Sequence, residues 1–460
     1  MKSGPRRALI ASVLLSISLD PLAAQTSGAL DPSYGGGDGM RPFQPTLASK
    51  ATNVLDAAVA PDGTLWIGGS ALVGNFDSFA CRVSSTGGGH SCLVVPFDLA
   101  PSGVDGLRAV AVALNGGAVL AGKADGPAGD PDTRAIFMRL TSAMTLDSTF
   151  GGDGKVDLNL SAPLAATAVA ARSNLTFVWA GYIDQSLFGI PNRNMLVGVL
   201  LDTGVPSPDF DGDGFRVVSF DAGGDLTDEA HDIVVQSNGD FVVVGKARTG
   251  NNDVDYAIAR LDFFDGSLDT SFSGDGKVLV SFAGEGEPDS ATSVAIDRFR
   301  RIVVAGNAGG GVGVVRLLFN GELDPSFGIG GKTTFSILET GDPRGEPDVL
   351  MMPGDRILVA GDFDPGGSDL KDNYLVMLEP DGDLDPTFGN GGKVTFATLP
   401  ELSDPAPSLG GAAVFAGKVL IGGDAGNEQN ELGFALRVWM SRMFLDDFET
   451  GNTAQWSATN

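Results

Sequence analysis

Along most of the chain a polar turn is followed by three or four apolar residues that stop at a glycine. The pattern occurs as DGTLWIGG (Asp62–Gly69), NGGAVLAG (Asn115–Gly122), NLTFVWAG (Asn174–Gly181) and NGDFVVVG (Asn238–Gly245). It continues as FRRIVVAG (Phe299–Gly306), GDRILVAG (Gly354–Gly361) and AGKVLIGG (Ala416–Gly423). From Gly69 to Gly423, six intervals of 53 to 64 residues average 59, so seven units are present. Each apolar run predicts a strand B buried on both faces. An alternating run before it, such as Ala109–Ala113 or Ser293–Ile296, predicts a strand A. A third run, such as IFMRL (Ile136–Leu140) or AIARL (Ala257–Leu261), predicts strand C. Strand D follows, as in Lys155–Leu158 and Lys393–Phe396.

Between strands C and D stands a repeated aromatic turn. Its copies are Leu30–Met40, Leu146–Val156, Pro206–Arg216, Leu268–Val278, Leu323–Thr333 and Leu384–Val394, best represented by LDPSFGIGGKT. Asp followed two residues later by Ser or Thr favours side-chain-to-backbone turns, and the glycines supply positive φ. The aromatics Tyr34, Phe150, Phe210, Phe272, Phe327 and Phe388 are expected to plug apolar slots. Arginine recurs once per strand C in five units (Arg82, Arg139, Arg260, Arg316, Arg437). Either a ring of ligands or structural pairing with a carboxylate or turn carbonyl fits that spacing; the structural role is the expectation.

Seven four-stranded units of this length, beginning near residues 54, 107, 166, 230, 291, 347 and 410, predict an all-β fold. The expected form is a seven-bladed β-propeller of four-stranded antiparallel blades. The first aromatic turn precedes every strand A, and none follows the last strand C. Gly39–Phe43 is therefore expected to complete the last blade, whose other strands come from Gly411–Trp439.

LDPSFG-x-x-GK with the preceding DG-x-x-x-VAG resembles the delta-60 repeat family of secreted bacterial proteins, over about Leu30–Trp439. The resemblance implies a propeller-like shape and carries over no catalytic residue. The FETGNTAQW ending resembles a short tail found on some secreted bacterial proteins.

Composition narrows the partners. A net charge of −28 with pI near 4.2 leaves no basic stripe for nucleic acid and disfavours anionic membranes. Lys2, Arg6 and Arg7 precede the apolar Ala8–Leu19 and the small residues before Ala24/Gln25, so residues 1–24 read as a signal peptide. That leaves a propeller over 25–443 and a disordered polar tail over 444–460. No apolar run is long enough to cross a bilayer. The expected product is a secreted, extracellular or periplasmic monomer. Cys81 and Cys92 flank a hairpin turn and read as a disulfide, with two buried thiols as the alternative.

Candidate chemistry sits in the B–C and D–A loops, which vary while the A–B and C–D turns repeat. Asp125, Asp130, Asp132, Asp253, Asp255, Asp362, Asp364, Asp228, Glu229 and His231 make that face acidic and suggest a binding surface. Asp211 and Asp213 of FDGDG are weak candidates for Ca²⁺, although no complete calcium loop is present; otherwise no cofactor is expected. DEAHD (Asp228–Asp232) fits a metal site, an acid/base pair or a solvated loop histidine. No zinc-protease, nucleophile-elbow or P-loop motif occurs. The first functional reading is a non-enzymatic binder of a protein or glycan. The second is a metal-assisted hydrolase, lactonase or lyase with carboxylates at the channel mouth, and the third is a purely structural surface protein.

Overall fold

Seven four-stranded antiparallel sheets follow one another along the chain. The computed structural model describes residues 29–440 apart from 47–50, 98, 100–102, 128–132, 173–175, 187, 189–190, 221, 223–225, 251–252, 283–287, 338–341, 365–371, 397–407 and 426–431. The proposed signal peptide and tail lie outside the described residues. Blades 1 to 6 each run A-B-C-D, as in blade 4 with Asp228–Val235, Phe241–Arg248, Val254–Leu261 and Lys277–Val280. Blade 7 takes Ser408–Phe415, Lys418–Ala425 and Leu432–Trp439, and Met40–Phe43 pairs with the last of these as its outer strand. The ring therefore closes between the two ends of the repeat region. Strand B of blade 4 reads Phe241–Val244 with every residue buried, because adjacent blades cover both of its faces.

The aromatic turn is an inter-blade latch. All six aromatics are buried. Phe272 of blade 4 packs on Gly321 in the C–D turn of blade 5, and Phe327 of blade 5 packs likewise on Gly382 of blade 6. Those glycines have φ of 86° and 94°, and an added Cβ would strike the ring. After five of the six aromatics the next residue donates its N–H across the gap, as from Gly328 to the Asp381 carbonyl and from Gly35 to that of Thr86. Arginine of strand C completes the latch. Arg316 is buried; its Nε donates to Asp324 at 2.8 Å, its Nη1 donates to the Pro380 carbonyl of the next blade, and its guanidinium lies 4.6 Å from the Phe327 ring centre. Arg437 repeats this at the closure with Asp31, the Ser85 carbonyl and Tyr34. Blade 1 has no aromatic turn of its own; a Cys81–Cys92 disulfide joins its strands C and D at paired positions.

A second feature shapes the inner wall. Strand A loses one residue of register against strand B at Leu55, Arg108, Thr167, His231, Thr292 and Gly410, and two at Gly345–Pro347, where three residues stand opposite Gly361. These are β-bulges, which the alternating sequence pattern did not reveal. In six of the seven blades the bulge presses the strand A backbone onto the glycine that closes the strand B pattern. At Gly245 an added Cβ would stand 1.9 Å from the Glu229 carbonyl oxygen, and at Gly122 2.0 Å from that of Gly106. Only glycine tolerates that approach.

The residue after the bulge ties blades together. Asp56 accepts the Val110 amide of blade 2 at 2.7 Å, Asp232 that of Val294 in blade 5 at 2.8 Å, and Asp348 that of Ala412 in blade 7 at 2.9 Å. Burial pushes all three carboxyls up, Asp232 to about 6 and Asp348 to about 7, against the lowering effect of the amides. Repulsion among the three adds to the rise at Asp56 and Asp348.

Two stability measurements follow. Phe272→Ala removes a fully buried latch ring and is expected to lower urea-unfolding stability by about 3–5 kcal/mol, whereas Ile329→Ala at an exposed site shifts it by under about 0.5 kcal/mol. A carboxyl whose folded pKa is raised holds its proton more tightly when folded. Its contribution is therefore full below about pH 4 and is lost as pH rises through 6 to 7. Thermal unfolding at pH 5 should occur at a higher temperature than at pH 8, by the equivalent of roughly 1–3 kcal/mol, and Asp348→Asn should flatten that slope.

Candidate functional site

The bulges point the side chains of strand A into the central channel. At its mouth on the B–C/D–A face lies a cavity of about 490 Å³, lined from blades 1 to 6. A second cavity of the same size continues inward past Asp56, Asp232 and Asp348. Three bulge side chains form a hydrogen-bonded arc. Thr167 Oγ1 donates to the Ala230 carbonyl at 2.7 Å, His231 Nδ1 to that of Ala291 at 2.8 Å, and Thr292 Oγ1 to that of Pro347 at 2.6 Å. Because a carbonyl only accepts, His231 carries a proton on Nδ1, which leaves Nε2 directed at Glu229 Oε2, 3.9 Å away.

Glu229 is the electrostatic centre of the mouth. Burial raises its carboxyl, but the nearby His231 imidazole, hydrogen bonds from Lys246 and Arg193 and the charge of Lys246 outweigh this and hold it well below the usual carboxylate range. Lys246 Nζ stands 2.9 Å from Oε2, and Arg193 Nη1 bonds Oε1. Arg193 also lies 4.4 Å from the Tyr182 ring centre and 3.4 Å from Asp184. A carboxylate held this way is a fixed acceptor and a poor general acid.

The acidic residues singled out from the sequence do not converge. Glu229 and His231 reach the mouth cavity, and Asp362 reaches the inner one. The segment read as a D–A loop through Asp232 is in fact strand A from Asp228 onward, so DEAHD alternates between the channel and the blade interface. Asp228 is buried and accepts the Phe220 amide at 2.7 Å. Asp255 lies buried on strand C, opposite Ala247. Asp362, also read as loop, is on strand B, where it accepts Asn373 Nδ2, Ser408 Oγ and the Leu409 amide. Asp364 ends the same strand. Asp253 accepts Thr249 Oγ1 at 3.3 Å, and Asp125 accepts the Val104 amide at 3.0 Å. Asp130 and Asp132 lie outside the described residues. Asp211 pairs with Arg216 at 3.0 Å and Asp213 accepts the Phe215 amide at 2.9 Å, both in a C–D turn on the opposite face. Among the described residues no three metal-ligating side chains cluster.

Sequence reasoning overlooked Arg108, Thr167, Thr292 and two of the inner aspartates, Asp56 and Asp348. A signal for the bulge residues exists: Leu55, Arg108, Thr167, His231 and Thr292 each stand fourteen positions before the closing glycine of their unit. Polar residues at four of those five positions, inside otherwise apolar runs, mark a column that faces water.

A family described as a domain of unknown function (DUF5122) beta-propeller matches residues 236–272, 300–327 and 355–388. Each matched segment ends on the aromatic of the latch. No curated protein matches the chain. In shape the chain is similar to a protein of unknown function from Dyadobacter fermentans, at 11% identity, covering 87% of this chain and 99% of that one, with a TM-score of 0.44. It is also similar to the β-propeller domain of the Trilobed protease from Pyrococcus furiosus, at 8% identity, covering 87% and 98%, with a TM-score of 0.45. Drosophila Semaphorin 2a is a further likeness, at 10% identity, covering 91% and 77%, with a TM-score of 0.45. With its seven closed sheets and the repeat matched in three of them, the chain is a β-propeller.

Proposed function

We propose that this propeller is a binding module that holds a glycan or protein partner at the channel mouth on its variable-loop face. The observation that carries this reading is the open polar cavity there, to which six blades contribute. Loops and strand ends on a rigid ring are a common way to present such a site. The delta-60 kinship, the signal peptide over 1–24 and a secreted or periplasmic address for 25–443 belong to the same proposal. The Cys81–Cys92 bridge supports an oxidising compartment.

A metal-assisted hydrolase or lyase is the second reading. Carboxylates from blades 1, 4 and 6 favour it, since Asp56, Asp232, Glu229, Glu346 and Asp348 all line the channel. Against it, four of the five already accept bonds from amides or cations. Glycan-array binding with and without EDTA separates the two. Saturable binding that survives the chelator is the expected result; EDTA-sensitive turnover of an ester or glycoside would transfer the assignment to the hydrolase.

A further inference from the structure

Among the described residues, the side of the mouth formed by blades 2 to 4 holds more positive charge than its carboxylates neutralise. Glu229 engages Arg193 and Lys246, and Asp184 also engages Arg193. Arg108, exposed at the bulge of blade 2, has no ion pair or hydrogen bond among the described residues. Neither has Lys123, which is half-buried on the adjacent strand opposite Gly106. The neighbouring carboxylate, Asp125, already accepts the Val104 amide. Burial, and then repulsion from Arg108, push the Lys123 ammonium below its usual range; Arg193 adds to this and Asp125 opposes it.

Like charges gathered in a cleft raise the energy of the empty site and favour an anion that bridges them. The chain as a whole carries −28, so its long-range field repels anions. Selection must then come from short-range contacts, which Arg supplies in bidentate form and Lys as a point charge. The rest of the lining is largely polar, and Asn307, which donates Nδ2 to the Gly345 carbonyl at 2.9 Å, keeps Oδ1 as an acceptor. Ser290 and Asn307 come from blade 5, and Glu346, exposed across the mouth on blade 6, is an acceptor.

Building on the mouth as a ligand site, we infer that it recognises a hydroxyl-rich ligand bearing an oxyanion, namely a uronic-acid saccharide. Arg108, which lines the cavity, grips the carboxylate with Lys123 on the adjacent strand adding charge behind it, and Ser290, Asn307 and Glu346 bond the hydroxyls. A free inorganic anion shares the first half of this chemistry and is separated by experiment.

The full chain is applied to an array of matched uronic-acid and neutral oligosaccharides, and the tightest pair is then measured by calorimetry beside inorganic phosphate. The acidic member is expected to bind at least about tenfold more tightly, and Arg108→Gln and Lys123→Gln each to weaken it about tenfold. Both variants should unfold at the wild-type temperature, since neither side chain has a hydrogen bond or ion pair among the described residues. Equal binding of the neutral member, or no effect of either substitution, overturns the anion assignment and leaves the mouth as a glycan site. Phosphate binding without any saccharide overturns the sugar. If no saccharide binds at all while a protein partner is captured through the mouth, the inference fails and the broader binding reading stands; if nothing binds there, both fail.

Discussion

One close contact of main chain with main chain governs this molecule. In every blade the innermost strand bulges, and in six of them it drops onto the glycine that ends the neighbouring strand's apolar run. A β-carbon at Gly181 or Gly245 would stand 1.9 Å from a carbonyl oxygen, so the strand could not bulge and its register would shift. In blades 1 to 5 the bulge sends one side chain into the channel and aims the next residue at the adjoining blade. Channel lining and blade-to-blade fastening thus have a single origin.

The ring is fastened at two radii with different chemistry. Near the axis, aspartates 56, 232 and 348 accept amides of the following blade, and threonines 167 and 292 with His231 donate to its carbonyls. Toward the rim, arginine, aromatic and aspartate form one unit that reaches into the next C–D turn. Blade faces between these radii are packed with Val, Ala, Leu and Ile, which supply the non-directional part of the stability. The polar fasteners supply register and spacing. Charge consumed in this way has no chemistry to spare, whereas Arg108, Lys123 and Glu346 have no hydrogen bond or ion pair among the described residues.

The architecture was open to reading because it repeats. Seven apolar runs ending in glycine, and six aromatic turns displaced by one unit, specify the number of blades and the exchange of Met40–Phe43 into the last sheet. The site was less legible. Asp228 and Asp362 look like loop acids from composition, but each stands on a strand and accepts amides, because strand ends at a blade interface leave N–H groups that need an acceptor. Arg108 was hidden for another reason. A bulge adds a residue to one strand only, and no periodicity of two can show where that residue falls. Its place becomes visible only when the units are aligned on their closing glycines.

The most direct test is a crystal structure of the saccharide-free protein at a resolution that fixes every inner-strand register. Unpaired residues at Leu55, Arg108, Thr167, His231 and Thr292, with the Arg108 guanidinium and Lys123 ammonium free of carboxylate partners, is the expected result. Regular inner strands, or those two cations bound into ion pairs with loop aspartates, would contradict it.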